Sequence, residues 1–330
     1  MNIANTLSDL QKFIKHYNPL LLVSSKLVFV PTMGNLHLGH ISLIKKALLF
    51  GDFVVVSIFV NKQQFAEHED FDTYPRSLDG DINLIKNSFD YSSLKKIVIY
   101  SPDYNQVYQS KPLLQFNIPS LTSKLCGISR PHFFNGVTQV LLRLFLQVKP
   151  SIVILGEKDY QQFLVVKQFA SEVFPEISII SGKTQREESG LALSSRNSYL
   201  NQEQKQIASL IFKSISLIAD ILKHTNQEKK LNSFVKLFSL YGKFNGLNDV
   251  ILNLKLDLAR IQEDNLLSNF AIIKNHFIEI FKLFSFEVDY LEIYNQEDLS
   301  CDNVKKDNAR IFIACKYQGV RLIDNLGVID

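Results

Sequence analysis

The sequence predicts an α/β fold, in which a Rossmann-like, doubly wound parallel sheet is followed by a smaller α+β domain. In the first half of the chain, short runs rich in Val and Ile alternate with longer runs of helical periodicity, which is the pattern of a parallel sheet built from βαβ units. In the second half, helix-like segments come first and strand-like segments close the chain. We expect the first domain to cover residues 1–182 and a C-terminal cap domain to cover residues 183–330.

The strands of the first domain are runs in which nearly every residue is apolar, as expected for strands covered on both faces. They are Lys26–Val30, Phe53–Val60, Ile97–Tyr100, Ser151–Leu155 and Ile177–Ile180. Apolar residues recur with helical spacing in Ile41–Phe50, Gly136–Val148 and Asp159–Phe174. Because strands and helices alternate, the strands should be parallel and the crossovers right-handed.

The second domain should begin with helices and end with a small sheet. Helices are predicted over Gln202–Lys223, Gln227–Tyr241 and most of Ile251–Phe281. Strands are predicted over Glu287–Ile293, Arg310–Lys316 and Val320–Asp324, with Tyr317–Gly319 as the turn between the last two.

Composition excludes several classes of function. The 36 basic and 33 acidic residues nearly balance, which argues against broad nucleic-acid binding. The N-terminal segment lacks the pattern of a signal peptide and no run of 18 apolar residues is present, so we expect no membrane partner and a cytoplasmic location. The widely spaced Cys126, Cys301 and Cys315 form neither a disulfide framework nor a zinc pattern, and no metal site is predicted.

The segment Pro31–His40, PTMGNLHLGH, follows the first predicted strand and leads into a helix. Ligands of open parallel sheets bind at such positions, and Gly34 and Gly39 allow a close approach to phosphate at the helix N-terminus. His37 and His40 lie three residues apart and can face one anion. As imidazolium ions or as N–H donors they would stabilise charge on a phosphoryl group. The alternatives are a metal-binding pair, or one surface and one buried histidine.

Polar side chains also follow two other predicted strands. Asn61 and Gln64 come after the second strand and could bind a small polar substrate through neutral amides, although ordinary loop chemistry would also explain them. In GEKDYQQ, Lys158 can pair with phosphate as a mobile point charge, or be a plain surface charge. Asp159 could bond a ribose hydroxyl or cap the helix, and Gln162 lies one helical turn into the site.

Two further segments could close over this edge of the sheet. Ser194, Ser195 and Arg196 offer two hydroxyls and a guanidinium fork, which suit a phosphate clamp. The alternative is that Ser195 caps a helix and Arg196 forms a surface ion pair. The acidic segment Ala66–Arg76 is either a lid or a solvated loop, and the sequence leaves both possibilities open.

Together these stretches resemble the pantothenate synthetase (pantoate–β-alanine ligase) family of the HxGH nucleotidylyltransferase superfamily. The HxGH pattern occurs in many nucleotidylyltransferases, whereas GEKDYQQ and LSSRNSYL are far more specific to this family. The matching stretches occur in the family's order and are PTMGNLHLGH, VSIFVNKQQF, YPRSLDGD, ILGEKDYQQF, GLALSSRNSYL, VDYLEIY and VRLIDN.

The resemblance implies a two-step ligase with an HxGH-type Rossmann fold. Pantoate would attack the α-phosphate of ATP to give pantoyl-adenylate and pyrophosphate, and β-alanine would then displace AMP to give pantothenate. Mg²⁺ would accompany ATP and neutralise its phosphates. The resemblance also implies a homodimer.

The resemblance assigns roles to the matching residues. His40 corresponds to the catalytic proton donor of the family. From their chemistry, we expect His37 to support phosphate contact and Lys158 to act with the histidines in catalysis. Gln64 and Gln162 correspond to amides that contact pantoate, and Asn61 joins them as a candidate substrate-binding residue. The expected ATP site consists of Met33, Gly34, Asn35, Leu36, His37, Leu38, Gly39, His40, Gly156, Glu157, Lys158, Asp159, Gln185, Leu193, Ser194, Ser195 and Arg196.

The chain departs from the family near the expected substrate pocket. In Arg130–Phe134 it reads RPHFF where the family reads RPGHF, and the other departures are Lys62, Gln139, Leu146 and Ser151. Extra sequence lies around residues 223–275. The alternatives are therefore another HxGH nucleotidylyltransferase and a non-catalytic nucleotide-binding relative. A tRNA synthetase would need a basic face and an anticodon-binding domain, and neither is visible.

Overall fold

The computed structural model describes residues 1–17, 26–67, 69–110, 113–223, 231–232, 235–236, 246–258, 261 and 265–329. The chain forms two compact units, Met1–Gln185 and Arg186–Asp330. The domain boundary expected from the sequence, between residues 182 and 183, stays a prediction.

A six-stranded parallel sheet forms the centre of the first unit. Its strands are β1 (Asn2–Ala4), β2 (Leu27–Thr32), β3 (Phe53–Ile58), β4 (Ile97–Tyr100), β5 (Ile152–Gly156) and β6 (Ser178–Gly182). Their order is β1-β4-β3-β2-β5-β6, so the direction of winding reverses between β2 and β5. Ligands of doubly wound sheets bind at the carboxyl ends of the strands beside such a reversal. The predicted Rossmann-like parallel sheet is confirmed.

Helices and short connecting turns cover this sheet. The helices are α1 (Leu7–Tyr17), α2 (Leu38–Phe50), α3 (Leu78–Ser88), α4 (Tyr91–Lys95), α5 (Tyr104–Val107), α6 (Pro119–Thr122), α7 (Cys126–Ser129), α8 (Phe133–Val148) and α9 (Tyr160–Val173). Single 3-10 turns follow β3 and β5, at Lys62–Gln64 and Glu157–Asp159. The central strands are buried, because helices shield both of their faces.

The second unit combines helices with an antiparallel sheet of three strands. Its helices are α10 (Gln202–Ala208), α11 (Leu210–Leu222), α12 (Leu247–Leu258) and α13 (Leu266–Leu283), and a 3-10 helix spans Ser195–Tyr199. The strands are β7 (Glu287–Asn295), β8 (Ala309–Tyr317) and β9 (Val320–Gly327), in that order. Gln318 and Gly319 both have positive φ, 51° and 76°, as a two-residue type I′ hairpin turn requires.

Two predicted helices of this unit differ in the structure. Gln202–Lys223 is divided at Ser209 into two helices, and Ile251–Phe281 corresponds to parts of two helices. The predicted helix Gln227–Tyr241 lies largely outside the described residues, of which 231–232 and 235–236 are helical. Within the described part of the chain, no helix combines the length and the apolar character needed to cross a bilayer.

Candidate active site

The turn after β2 depends on a glycine. Gly34 and Asn35 both have positive φ, 79° and 48°, a conformation in which glycine carries no steric penalty. A Cβ at Gly34 would also lie 3.0 Å from Asp81 Oδ2 and 3.0 Å from Ile58 Cγ2. Gly39 has no such conformation, because it lies in the first turn of α2. The tight turn expected here therefore rests on Gly34 rather than on both glycines.

His37 and His40 form a reciprocal cap at the start of α2. The Nδ1 atom of His37 accepts a hydrogen bond from the backbone N–H of Gly39 at 3.1 Å, and Nδ1 of His40 accepts from the N–H of His37 at 3.2 Å. The ring centroids are 4.1 Å apart. Since a backbone N–H can only donate, both Nδ1 atoms are unprotonated and each neutral ring carries its hydrogen on Nε2.

Both histidines are neutral at physiological pH. Burial lowers the pKa of His40 to about 4, with a further contribution from the charge of Lys158. Burial also lowers the pKa of His37 to about 2, helped by His40 and Lys158 and opposed by Asp159. The pair therefore offers neutral Nε2–H donors rather than imidazolium ions. Among the described residues, no group of three or more His, Cys, Asp or Glu could hold a metal ion.

The 3-10 turn Glu157–Asp159 follows β5, which pairs with β2. Ser181 Oγ donates to Glu157 Oε1 at 2.7 Å, and this bond ties the turn to β6. Lys158 Nζ lies 3.7 Å from Asp159 Oδ2, and its charge acts on both histidines. Asp159 makes no side-chain cap bond to α9, so capping does not account for this aspartate.

The two amides after β3 are buried and joined. Asn61 Nδ2 donates to Gln64 Oε1 at 3.1 Å and to the carbonyl of Gly136 at 3.0 Å. Asn61 Oδ1 accepts from Tyr108 Oη at 2.9 Å and from the N–H of Gln63 at 3.3 Å. The protein therefore uses both polar atoms of Asn61, whereas Gln64 keeps its Nε2 group for other partners.

The adjacent glutamines of α9 have different environments. Gln161 is buried, its Oε1 accepts from the N–H of Cys126 at 3.0 Å, and its Nε2 donates to the carbonyls of Leu121 and Lys124 at 2.7 and 2.8 Å. Gln162 is partly buried and makes no side-chain hydrogen bond within the described part of the chain. This contrast makes Gln162, the residue chosen from the sequence, the one available to a ligand.

Sequence reasoning missed the role of Arg130, the first residue of the altered RPHFF stretch. Its guanidinium donates to both carboxylate oxygens of Glu69 at 2.6 Å and to the carbonyl of Gln64 at 2.9 Å, and it stacks on Phe133. Burial alone would raise the pKa of Glu69, but the bonds and charge of Arg130 outweigh it, so the pKa is lowered. The loop containing Glu69 is thus anchored beside Gln64, although no spacing in the sequence links these residues.

Asp81 on α3 is a second residue that the sequence did not single out. Its buried carboxylate accepts from the backbone N–H groups of Asn35 at 3.0 Å and Leu36 at 2.6 Å. Burial raises the pKa of Asp81, and these two bonds oppose the rise. Asp81 therefore holds the turn that leads into the histidines. It lies within the matching stretch YPRSLDGD, which is the one signal that could have marked it.

The predicted clamp belongs to the second unit, and its loop is anchored there. Arg186 forms a bidentate ion pair with Asp324 of β9 at 2.6 and 2.9 Å, and its guanidinium stacks on Phe212. Ser194 caps the following 3-10 helix by accepting from the N–H of Arg196 at 3.3 Å. The cap is therefore Ser194, and the alternative that placed Ser195 there is wrong.

The structure gathers most of the predicted site residues at one edge of the parallel sheet. The segments 33–40, 61–64 and 156–162 follow the carboxyl ends of β2, β3 and β5, and these strands are neighbours. Gln185 is the last residue of the first unit, and Leu193–Arg196 belong to the second. The grouping at one edge allows a single ligand to meet the two histidines, Lys158 and the amides.

Comparison with known proteins identifies close relatives over the whole chain. A family model described as Pantoate-beta-alanine ligase matches residues 2–327. The chain is 36% identical over 324 residues to pantothenate synthetase of Acinetobacter baumannii, covering 98% of each chain. It is 34% identical over 327 residues to pantothenate synthetase of a Thermoanaerobacter strain, covering 99% of this chain and 98% of the other.

Solved structures give the same result. The crystal structure of pantothenate synthetase from Thermus thermophilus matches with a TM-score of 0.73 and 29% identity over 99% of both chains. Pantoate-beta-alanine ligase from Francisella tularensis, complexed with beta-gamma ATP and beta-alanine, matches with a TM-score of 0.70 and 31% identity, covering 100% of this chain and 98% of the other.

Proposed function

The chain belongs to the pantoate–beta-alanine ligase family, and we propose that it joins pantoate to β-alanine through a pantoyl-adenylate made from ATP. The ligation itself follows from family membership, because the relatives match over nearly the full length of the chain. That full-length match does not favour another nucleotidylyltransferase or a non-catalytic relative. The observation that best supports an adenylate is the pair of neutral histidines beside Lys158 at the reversal of the sheet.

In the proposed first step, a carboxylate oxygen of pantoate attacks the α-phosphorus of ATP. A bond forms between this oxygen and the α-phosphorus. The bond between the α-phosphorus and the oxygen that bridges it to the β-phosphorus breaks, and pyrophosphate leaves. Negative charge grows on the phosphoryl oxygens, where Lys158 can neutralise it and the Nε2–H groups of His37 and His40 can donate hydrogen bonds. Because backbone N–H groups already fix both rings, little reorganisation is needed in the transition state.

In the proposed second step, the amine of β-alanine attacks the acyl carbon of the adenylate. A C–N bond forms, the C–O bond to the phosphate breaks, AMP leaves and the amine loses a proton. Gln64 and Gln162 are proposed to hold the substrates through neutral amides. Such groups bind a carboxylate without adding a cation that would reduce its nucleophilicity.

ATP is proposed to bind through residues 33–40, 156–159, Gln185 and 193–196, and to arrive as its Mg²⁺ complex. Mg²⁺ is commonly held by substrate phosphates and only one or two carboxylates, so the phosphates of ATP would supply most of its protein-independent ligands. The family resemblance also supports a homodimer, which sedimentation velocity would test, and a cytoplasmic location.

The reaction is tested by pyrophosphate exchange. Purified protein is incubated with ATP, Mg²⁺ and labelled pyrophosphate, with and without pantoate. We expect exchange that depends on pantoate, followed by AMP release when β-alanine is added. A folded protein that binds ATP but shows no such exchange would refute the adenylate mechanism.

The role of His40 is tested in the same assay. Loss of one preorganised donor to a developing oxyanion typically lowers the rate by about 10²–10³-fold, so His40→Ala should lose exchange on that scale. His16→Ala is the matched control, because His16 is exposed on α1. Equal rates for the two variants would show that His40 has no catalytic role.

A further inference from the structure

The orientation of the Asn61 side chain is set by backbone groups. The N–H of Gln63 can only donate, and it lies 3.3 Å from Oδ1 of Asn61. The carbonyl of Gly136 can only accept, and it lies 3.0 Å from Nδ2. These two partners determine which end of the amide is oxygen and which is nitrogen. A flipped Asn61 would place donor against donor and acceptor against acceptor.

Asn61 in turn determines the orientation of Gln64. Asn61 Nδ2 also donates to Gln64 Oε1 at 3.1 Å, so the carbonyl of the Gln64 amide is turned toward Asn61. Within the described residues, no protein group accepts from Gln64 Nε2. The Gln64 side chain therefore presents N–H donors, and not its carbonyl, to a ligand.

Tyr108 makes the shortest of the hydrogen bonds to the Asn61 side chain. Its hydroxyl donates to Asn61 Oδ1 at 2.9 Å, compared with 3.3 Å for the N–H of Gln63. The ring is buried, stacks on Tyr104 at 4.8 Å between centroids and lies 4.6 Å from the Arg143 guanidinium carbon. Burial raises the pKa of Tyr108, so the hydroxyl stays protonated and remains a donor.

We propose that Tyr108 is a positioning residue: it holds Asn61 in the orientation that the backbone partners set, and so keeps Gln64 turned as a hydrogen-bond donor to a substrate carboxylate. The proposal rests on the proposed function, because both pantoate and β-alanine carry a carboxylate. A carboxylate offers only acceptors. A Gln64 turned the other way would direct its carbonyl at that anion and repel it.

The first test is Tyr108→Phe, which removes the hydroxyl and keeps the ring packed between Tyr104 and Arg143. Loss of one buried neutral hydrogen bond should raise the KM of pantoate or β-alanine about fivefold, with kcat and the KM of ATP unchanged within about twofold. Tyr104→Phe is the matched control. It removes a neighbouring hydroxyl that makes no hydrogen bond within the described part of the chain.

The second test is Asn61→Asp, which should reverse the orientation of the Gln64 amide. An aspartate at this position can only accept, so it loses the bond to the carbonyl of Gly136. The Gln64 Nε2 group should turn toward the aspartate and leave the Gln64 carbonyl facing the substrate. We expect kcat/KM for the same substrate to fall about fiftyfold. ATP affinity, measured by calorimetry, should stay within about twofold of wild type, because the ATP site is proposed to lie at other strand ends.

The outcomes separate this proposal from the proposed function. Absence of pantoate-dependent exchange in the wild-type protein would overturn both. Normal exchange with an unchanged KM in Tyr108→Phe would overturn the positioning role alone. A uniform loss of kcat and of affinity for every substrate, ATP included, together with a lower Tm, would also overturn it, because that result indicates a purely structural residue.

Discussion

Gly136→Ala tests how precisely the amides must be placed. Gly136 lies on α8 against the 3-10 turn that carries Gln64. A Cβ at this position would lie 2.2 Å from the carbonyl oxygen of Gln63 and 2.6 Å from its carbonyl carbon. Both are backbone atoms, so no side-chain rotation relieves the overlap. Ordinary contact begins at 3.4 Å, and the turn or the helix must therefore shift by about 1 Å.

The expected effect on activity is larger than the effect on stability. Overpacking of this kind costs about 1–3 kcal/mol of the free energy of unfolding. A displacement of about 1 Å in a substrate-positioning group can cost about 10²-fold in rate. We therefore expect Gly136→Ala to remain folded and to lose kcat/KM for pantoate on that scale. Pyrophosphate exchange measures the activity and calorimetry measures the Tm.

Gly182→Ala is the matched control. Its Cβ would also meet an atom at 2.2 Å, but that atom is Leu43 Cδ2, the end of a flexible side chain. Gly182→Ala should lower the Tm while leaving the KM of pantoate close to wild type. Near-normal kcat/KM in Gly136→Ala would refute the reasoning, because Gln64 would then tolerate the displacement that the overlap forces.

Three further perturbations follow from the site. Between pH 7 and 5.5 the free energy of unfolding should fall by about 1 kcal/mol for each of His37 and His40, because their lowered pKa values exclude protons that the unfolded histidines bind. In urea titrations, the free energy of unfolding should depend less on pH in the variant that carries both His37→Gln and His40→Gln than in the wild type. An equal dependence on pH in the two proteins would contradict this. Asp81→Asn should weaken ATP binding about tenfold in calorimetry, since one turn N–H then faces an amide donor, whereas unchanged affinity would exclude a positioning role. Glu69→Gln should cost about 1–3 kcal/mol in chemical denaturation, because Arg130 loses its charged partner, and an unshifted midpoint would argue against that contribution.

The sheet and the strand-end positions could be predicted because they depend on local sequence. Val54, Val55 and Val56 are fully buried, and a continuous apolar run signals such a strand. The three-residue strand Asn2–Ala4 was missed because it is too short to show a pattern. At Ser209 the structure separates two helices where the sequence predicts one.

The supporting residues of the site could not be predicted, because their roles arise from contacts between distant segments. Asp81 bonds the backbone 45 and 46 residues away, and Arg130 bonds a glutamate 61 residues away. Tyr108 lies 47 residues from Asn61. No periodicity or motif spacing relates such pairs, and only the fold brings them together. For the same reason, the sequence could not predict whether His37 and His40 are charged, because burial and the charge of Lys158 lower their pKa values.

The proposed site has a cationic part for the phosphates of ATP and a neutral part for pantoate. The two histidines lie after β2 and Lys158 lies after β5, where the leaving pyrophosphate would gain negative charge. After β3, the candidate ligand-binding group is the neutral amide of Gln64, and the guanidinium of Arg130 is paired with Glu69. A cation close to the pantoate carboxylate would bind it more tightly, but it would also stabilise the attacking anion in the ground state. In the proposed mechanism, neutral donors at that end would hold the nucleophile while leaving it reactive. The proposed mechanism therefore depends on the orientation of the Gln64 amide rather than on a cation at this end of the site.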